Sequence, residues 1–237
     1  MAIPQNISAP SCPTAETPVR TIRVWDLPVR LFHWSLVALL ATAVVTGKTG
    51  GNAMEIHLWA GYGTVVLVVF RFLWGWVGTP YARFTHFVRG IPSALAYGRE
   101  LFRGKPVARP GHNPLGGWMV IILLAVLALQ AGTGLFANDD IVTEGPLFEM
   151  VGKDMSDTLT ALHKLNFKIL LALAGIHVLA VILYRVVKGI DLVRPMITGR
   201  MAVADPDLPD QPMPGYANFL ALALLAAAAA GFYALVL

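Results

Sequence analysis

Five long apolar stretches, nearly free of charge, decide what this chain can become. They run from about Leu31 to Gly47, Ile56 to Trp76, Gly117 to Phe136, Leu162 to Val187 and Tyr216 to Leu237. A stretch of about 20 residues, wound as α-helix at about 1.5 Å per residue, matches a hydrocarbon layer of about 30 Å. Within lipid a backbone must satisfy its own N–H and C=O groups, which leaves helices or closed barrels. None of these stretches alternates as a barrel strand would, and several carry the glycines that membrane helices tolerate. Only 14% of the 237 residues are charged and 56% are hydrophobic, whereas a soluble domain carries about 25% charge. The expected fold is an all-α integral membrane protein with short loops.

Lysine and arginine placement orients the helices. Arg20, Arg23 and Arg30 precede the first, and Arg83, Arg89, Arg99, Arg103, Lys105 and Arg109 fill the loop after the second. Arg185, Lys188, Arg194 and Arg200 follow the fourth. The opposite loops are poor in cations: Lys48 alone between helices one and two, and Lys153 against Asp139, Asp140, Glu144, Glu149, Asp154 and Asp157 between three and four. The positive-inside rule then puts the N-terminus in the cytoplasm and the C-terminus outside, which in a bacterium is the periplasm. The net charge of +4 reports this orientation, not nucleic-acid binding. The first 30 residues hold no apolar core of a signal peptide. The single cysteine, Cys12, permits neither an internal disulfide nor an iron–sulfur site, and no C-x-x-C-H motif offers covalent haem attachment. The segment Phe84 to Phe102 alternates apolar residues with arginines and is expected to lie in the interface as an amphipathic helix. The prolines 195, 206, 209, 212 and 214 make 191–215 a linker that cannot be helical throughout, with the fifth helix attached semi-independently. The domain expectation is a leader over 1–22, a four-helix unit over 23–190, this linker, and a fifth helix over 216–237.

Histidines set the chemistry. His33, His57, His163 and His177 lie inside or at the lip of apolar stretches, where ionisable and polar rings are costly and read as functional. His163 and His177 are 14 residues apart, close to four helical turns, so both point to one side about 21 Å apart along the axis. Helices two and four enter from outside, and this pairs the rings by depth: His33 with His177 on the inner side, His57 with His163 on the outer. Two neutral imidazoles per iron make a closed six-coordinate haem that passes electrons. The expectation is two non-covalent haems b with these four histidines as iron ligands.

The same 14-residue step recurs in Gly47, after His33, and Arg71, after His57. Gly47 leaves space near the outer haem and Gly61 lies one turn after His57, while Gly175 is close to His177. A single glycine is, however, more often a helix-packing residue. Arg71 lies at the depth of the inner haem, where it either holds propionates bidentately or snorkels to the interface. Lys164 and Lys168, beside His163, are candidates for the outer propionates. His86 and His112 have no partner at their depth and read first as solvated loop histidines; for His112, at the mouth of helix three, contact with quinone or a propionate is the alternative.

The run Val24-Trp25-Asp26-Leu27-Pro28-Val29-Arg30-Leu31-Phe32-His33-Trp34 resembles the opening of the bacterial cytochrome b561 / nickel–iron hydrogenase b-type cytochrome family. So do Ile56-His57-Leu58-Trp59-Ala60-Gly61-Tyr62, Gly111-His112-Asn113-Pro114-Leu115-Gly116, Leu162-His163-Lys164 and Ile176-His177-Val178. The likeness runs in order over about residues 22–200. It implies a four-helix transmembrane bundle binding two haems b through His33, His57, His163 and His177, followed here by a fifth transmembrane helix as in hydrogenase-type members. It also implies electron exchange between the membrane quinone pool and a partner, which would be a periplasmic hydrogenase, another dehydrogenase or a c-type cytochrome. A stand-alone superoxide:quinone oxidoreductase is the alternative that short relatives suggest; a proton-relay transporter leaves the matched depths unexplained.

Overall fold

The computed structural model describes residues 20–103, 110–203, 208, 210 and 213–236. Cys12, Lys105, Arg109, most of the leader, three of the linker prolines and Leu237 lie outside the described residues. Among the described residues five helices are long and apolar enough to cross a membrane: α1 (Leu27–Thr49), α2 (Ala53–Val77), α5 (Pro114–Gly134), α6 (Lys153–Lys188) and α8 (Ala217–Val236). A strand β1 (Arg20–Arg23) precedes them, and between them lie the short α3 (Phe84–Phe87), α4 (Ile91–Phe102) and α7 (Val193–Thr198) and a strand β2 (Arg200–Val203). The protein is a multi-pass, all-α membrane protein; its strands form one small antiparallel ribbon pairing Arg20 with Val203 and Arg23 with Arg200.

The spanning helices begin and end where their local chemistry dictates. Asp26 caps α1, accepting a 2.6 Å hydrogen bond from the Val29 N–H, with Pro28 in the first turn, where its missing N–H costs nothing. Asn113 caps α5 in the same way, accepting from Gly116 N at 2.8 Å, with Pro114 at the first helical position. The Gly-His-Asn-Pro-Leu-Gly-Gly run is thus in large part a helix-start device. Gly111 has φ +80°, a backbone angle that glycine adopts freely. A side chain at Gly117 would stand 2.8 Å from the Phe87 carbonyl oxygen, so helix α5 lies directly against α3.

Helix α6 starts at Lys153, nine residues before the apolar stretch does. The loop between α5 and α6 folds back on that extra length. Asn138 donates to the Ser156 hydroxyl (2.6 Å) and to Asp157 (2.9 Å), while Ser156 donates to the Phe136 carbonyl (2.6 Å). Helix period alone could not show this, because polar residues facing a folded loop look like a helix exterior. The expected amphipathic helix over 84–102 is instead two pieces. Gly90 and Pro92 break it, since proline can open α4 but cannot continue α3. Tyr97 and Tyr184 meet through their hydroxyls at 3.0 Å, and Asn113 Nδ2 donates to the Tyr184 hydroxyl at 3.1 Å, which latches α4 to the bundle.

The densest core lies at one end of the bundle, not along its middle. Ile22, Val24, Trp25, Val29, Phe32, Phe70, Trp74, Tyr81, Met201 and Val203 pack where α1 begins and α2 ends. Ala217 and Ala221 of α8 join this cluster. Further along, Tyr62 of α2 stacks near Phe232 of α8 at 5.3 Å. The fifth helix is therefore not semi-independent: small alanines let it lie along α2, and the linker gains order from α7 and β2. Asp26, 1% exposed, ties this end together. Besides capping α1, its carboxylate accepts from Trp74 Nε1 (2.9 Å) and the Thr79 hydroxyl (2.6 Å).

Asp26→Ala removes a cap and strands two buried donors, and the expected cost is about 3 kcal/mol. Thermal unfolding of the detergent-solubilised protein, followed by helix circular dichroism, measures it; an unchanged midpoint contradicts the role given to Asp26.

Candidate functional site

The four membrane histidines come together as two pairs across the bundle. His33 of α1 faces His177 of α6 with ring centroids 6.5 Å apart, and His57 of α2 faces His163 of α6 at 6.2 Å. All four are half-buried. Two imidazoles bonded from opposite sides to one metal, at about 2 Å per metal–nitrogen bond, place their ring centres about 6 Å apart. Both pairs fit that requirement. Extensive packing joins α6 to α5 and α1 to α2, so the histidine pairs bridge two helix pairs.

The ring nitrogens add to the fit. His57 Nδ1–H donates to the Ala43 carbonyl of α1 at 2.8 Å, and His163 Nδ1–H donates to the Gln130 carbonyl of α5 at 2.9 Å. Such bonds fix the tautomer and leave Nε2 as the metal-binding atom. For His163 that lone pair currently accepts from the Gln130 side-chain amide at 3.0 Å, so a metal bond there requires the amide to swing aside. Asn166 holds the same amide from its other end, donating to Gln130 Oε1 (2.7 Å) and to the Val126 carbonyl (3.0 Å). His33 Nδ1 is enclosed without a protein partner, an orphaned polar atom in the inner pair.

Gly47 makes room for a ring. A Cβ at that position would lie 2.9 Å from Cε1 and Nδ1 of His57. Gly134 plays the same part for His163, with a Cβ 3.0 Å from Cε1. Each outer histidine thus sits against a neighbouring helix at a glycine. Gly61 faces open space, as does Gly175, with nothing within 4 Å of a Cβ. Gly134, Gln130 and Asn166 were not singled out from the sequence. The legible signal was polar: two amide side chains inside otherwise apolar helices, one of them three residues from His163.

Arg71 does not snorkel. It is 2% exposed, donates from Nη2 to the Ala82 carbonyl at 3.1 Å and lies with Cζ 5.1 Å from the Phe84 ring centre, while Nη1 is enclosed and unpartnered. The solvated reading of His112 is also overturned. Its ring packs between Trp25 (4.7 Å) and Phe87 (4.6 Å), and Nδ1 is enclosed without a partner. Burial, then the charge of Arg71, then His177 and His33, push its pKa down to about 3, so the ring is neutral at physiological pH. The Gly111 turn brings it there by folding the loop under α1. His86 is exposed, its ring edge-on to Tyr81 at 5.0 Å. Lys164 and Lys168 are exposed and make no hydrogen bond or ion pair among the described residues; Lys164 is near enough to His163 for its charge to act on that ring.

Fold and site define the class: an all-α membrane protein with imidazoles paired across its helices, the donor type that haem iron takes. The model of the prokaryotic cytochrome b561 family matches residues 24–199, and the chain belongs to that family of b-type electron-transfer cytochromes. It is 27% identical over 143 residues to the probable Ni/Fe-hydrogenase 1 B-type cytochrome subunit of Escherichia coli strain K12, and equally to that of Escherichia coli O157:H7. In both cases 48% of this chain aligns with 60% of the relative, so it spans less than two thirds of their length. No solved structure matches.

Asn166→Ala leaves Gln130 Oε1 without its donor and is expected to destabilise by about 1 kcal/mol, the usual scale for a hydrogen bond between membrane helices. Asn166→Asp sets a carboxylate against two acceptor oxygens and is expected to cost more. Unfolding midpoints of the two variants, compared in one detergent, check the order.

Proposed function

We propose that this chain holds two haems b, one between His33 and His177 and one between His57 and His163, and relays electrons between a periplasmic redox partner and membrane quinone. The observation that carries the reading is the pair of cross-bundle imidazole separations near 6 Å at two depths. When bound, haem b supplies one-electron iron chemistry. The residues do the rest. His33, His57, His163 and His177 would hold the irons, two imidazoles to each, and would leave no place for dioxygen to bind. The Ala43 and Gln130 carbonyls orient the outer rings. Arg71 Nη1, enclosed and without a partner, is suited to an inner propionate. Lys164 and Lys168 would serve outer propionates only by turning in from exposed positions.

The cationic segments support a bacterial inner-membrane location with the N-terminus on the cytoplasmic side and the loop over 138–157 on the periplasmic side. The haem unit is the four-helix part over 23–190, to which α8 is an added helix. The loop supports a protein partner on that side. It is a folded surface, with Ile141 (84% exposed), Val142 (86%) and Met150 (72%) beside the exposed carboxylates Glu144 and Glu149. Not every acid there is free to steer a partner. Asp139 accepts from the backbone N–H groups of Ile141, Val142 and Thr143, which holds its carboxyl well below the usual range, and Asp140 and Asp157 pair with Lys153. The remaining acids would repel superoxide, which disfavours the stand-alone oxidoreductase reading. A hydrogenase is the partner named for the Escherichia coli relatives; the partner of this chain is a hydrogenase, another dehydrogenase or a c-type cytochrome.

Purified protein is expected to contain two low-spin haems b per chain. His57→Ala and His163→Ala each abolish the outer haem and keep the inner, and His33→Ala and His177→Ala do the reverse. Pyridine haemochrome analysis against protein mass decides: one haem per wild-type chain refutes the reading.

Five crossings with an inside start put the C-terminus outside. A phosphatase reporter fused after Leu237 is expected to be active in the periplasm; activity of a cytoplasm-only reporter at that site reverses either the orientation or the number of crossings.

A further inference from the structure

We propose that the chain carries a binding site for the phosphate of an anionic phospholipid where α1 and α8 enter the membrane. A cavity of about 390 Å³ lies there, lined among others by Arg23, Trp25, Arg30, Gly199, Arg200 and Asn218. Three guanidinium side chains therefore border one small space. No carboxylate lines it among the described residues, and none of the three arginines is in an ion pair among them.

The fold forces these cations together. Arg23 and Arg200 are directly opposite in the β1–β2 ribbon, and like charges in that relation destabilise a strand pair. Arg30 closes the third side: Nη1 donates to the Ile197 carbonyl, while Nε is enclosed and has no partner. Gly199 permits this approach, since a Cβ there would stand 3.4 Å from Arg30 Cζ and 2.7 Å from the Trp25 carbonyl oxygen. Asp210 is engaged with the Arg23 backbone N–H at 2.9 Å, and Asp26, between the lining residues Trp25 and Leu27, is engaged with Val29, Trp74 and Thr79. A phosphate oxygen in the cavity relieves the Arg23–Arg200 repulsion and gives guanidinium donors their preferred bidentate acceptor.

Position and rim point to a lipid over free phosphate as the source. The cavity sits at the first turns of two spanning helices, the level of headgroups. Leu27 (41% exposed) lines it, and Tyr216 (67%) and Phe219 (77%), next in the chain to the lining residues Gly215 and Asn218, add exposed apolar surface suited to acyl chains. Basic pockets between membrane helices bind anionic headgroups in this manner. The site is independent of haem and of the electron-transfer reading.

The test uses the full chain in detergent micelles doped with phosphatidylglycerol or phosphatidylcholine, with retained lipid read by native mass spectrometry. Wild-type protein is expected to retain phosphatidylglycerol preferentially, with retention falling about fivefold for each arginine removed in R23Q, R200Q and the double variant. R23K/R200K, which keeps the charge, retains most of it. Haem absorbance and circular dichroism confirm that each variant is folded. Equal phosphatidylglycerol retention by wild type and the folded double variant overturns the proposal. Complete displacement of the lipid by millimolar inorganic phosphate overturns the lipid assignment. If the double variant does not fold, the single R30Q variant supplies the comparison, and undiminished retention there overturns it equally.

Discussion

The buried carboxylate of Asp26 governs the relation on which the site depends. It caps α1, receives the indole of Trp74 near the end of α2, and receives the hydroxyl of Thr79 just beyond. A hydrogen-bonded acceptor this deeply enclosed cannot slide without stranding donors, at about 1–3 kcal/mol each. The sliding register of two smooth apolar helices is thereby fixed at one end. Everything along them inherits that register: His33 two turns into α1, Arg71 one turn before Trp74, and His57 opposite Gly47. Hydrophobic packing alone would not set it, because lipid tails are as apolar as leucine and offer no force toward one register.

At the other end of the bundle the same logic uses amides and glycines. Gln130 and Asn166 bind α5 to α6 beside His163, and Gly134 lets that ring approach α5. Gly47 does so for His57 against α1. The outer imidazoles are oriented by backbone carbonyls of neighbouring helices, whereas His33 Nδ1 is enclosed without one. The two halves of the bundle therefore hold their histidines differently, the outer by hydrogen bonds to neighbouring helices and the inner with His33 edge-on to Trp34.

Charge in this protein has three distinct uses that composition does not separate. The basic segments orient the helices. Arg71 is sealed inside, and Asp139 and Asp140 shape their loop. Only the remainder, such as Glu144 and Glu149, is exposed without such a bond. Arg23 of β1 and Arg200 of β2 share the first use and in addition converge on one cavity, which is why they stand out.

The sequence by itself determined the all-α membrane class, the five crossings and the four histidines, because hydrophobic length and helical period are local properties that survive any packing. It also determined depth pairing, since 14 residues of helix is a fixed length. The tertiary structure decided what depends on which surfaces meet. Along the chain His112 reads first as a loop residue and Arg71 as either a buried cation or a snorkelling one, yet the closed fold encloses polar atoms of both. Lys164 and Lys168 are adjacent to His163 in sequence, yet helical rotation leaves them exposed. The ribbon of β1 with β2 joins segments about 180 residues apart, too short for any periodic signal, and only the closed fold gives them an alignment.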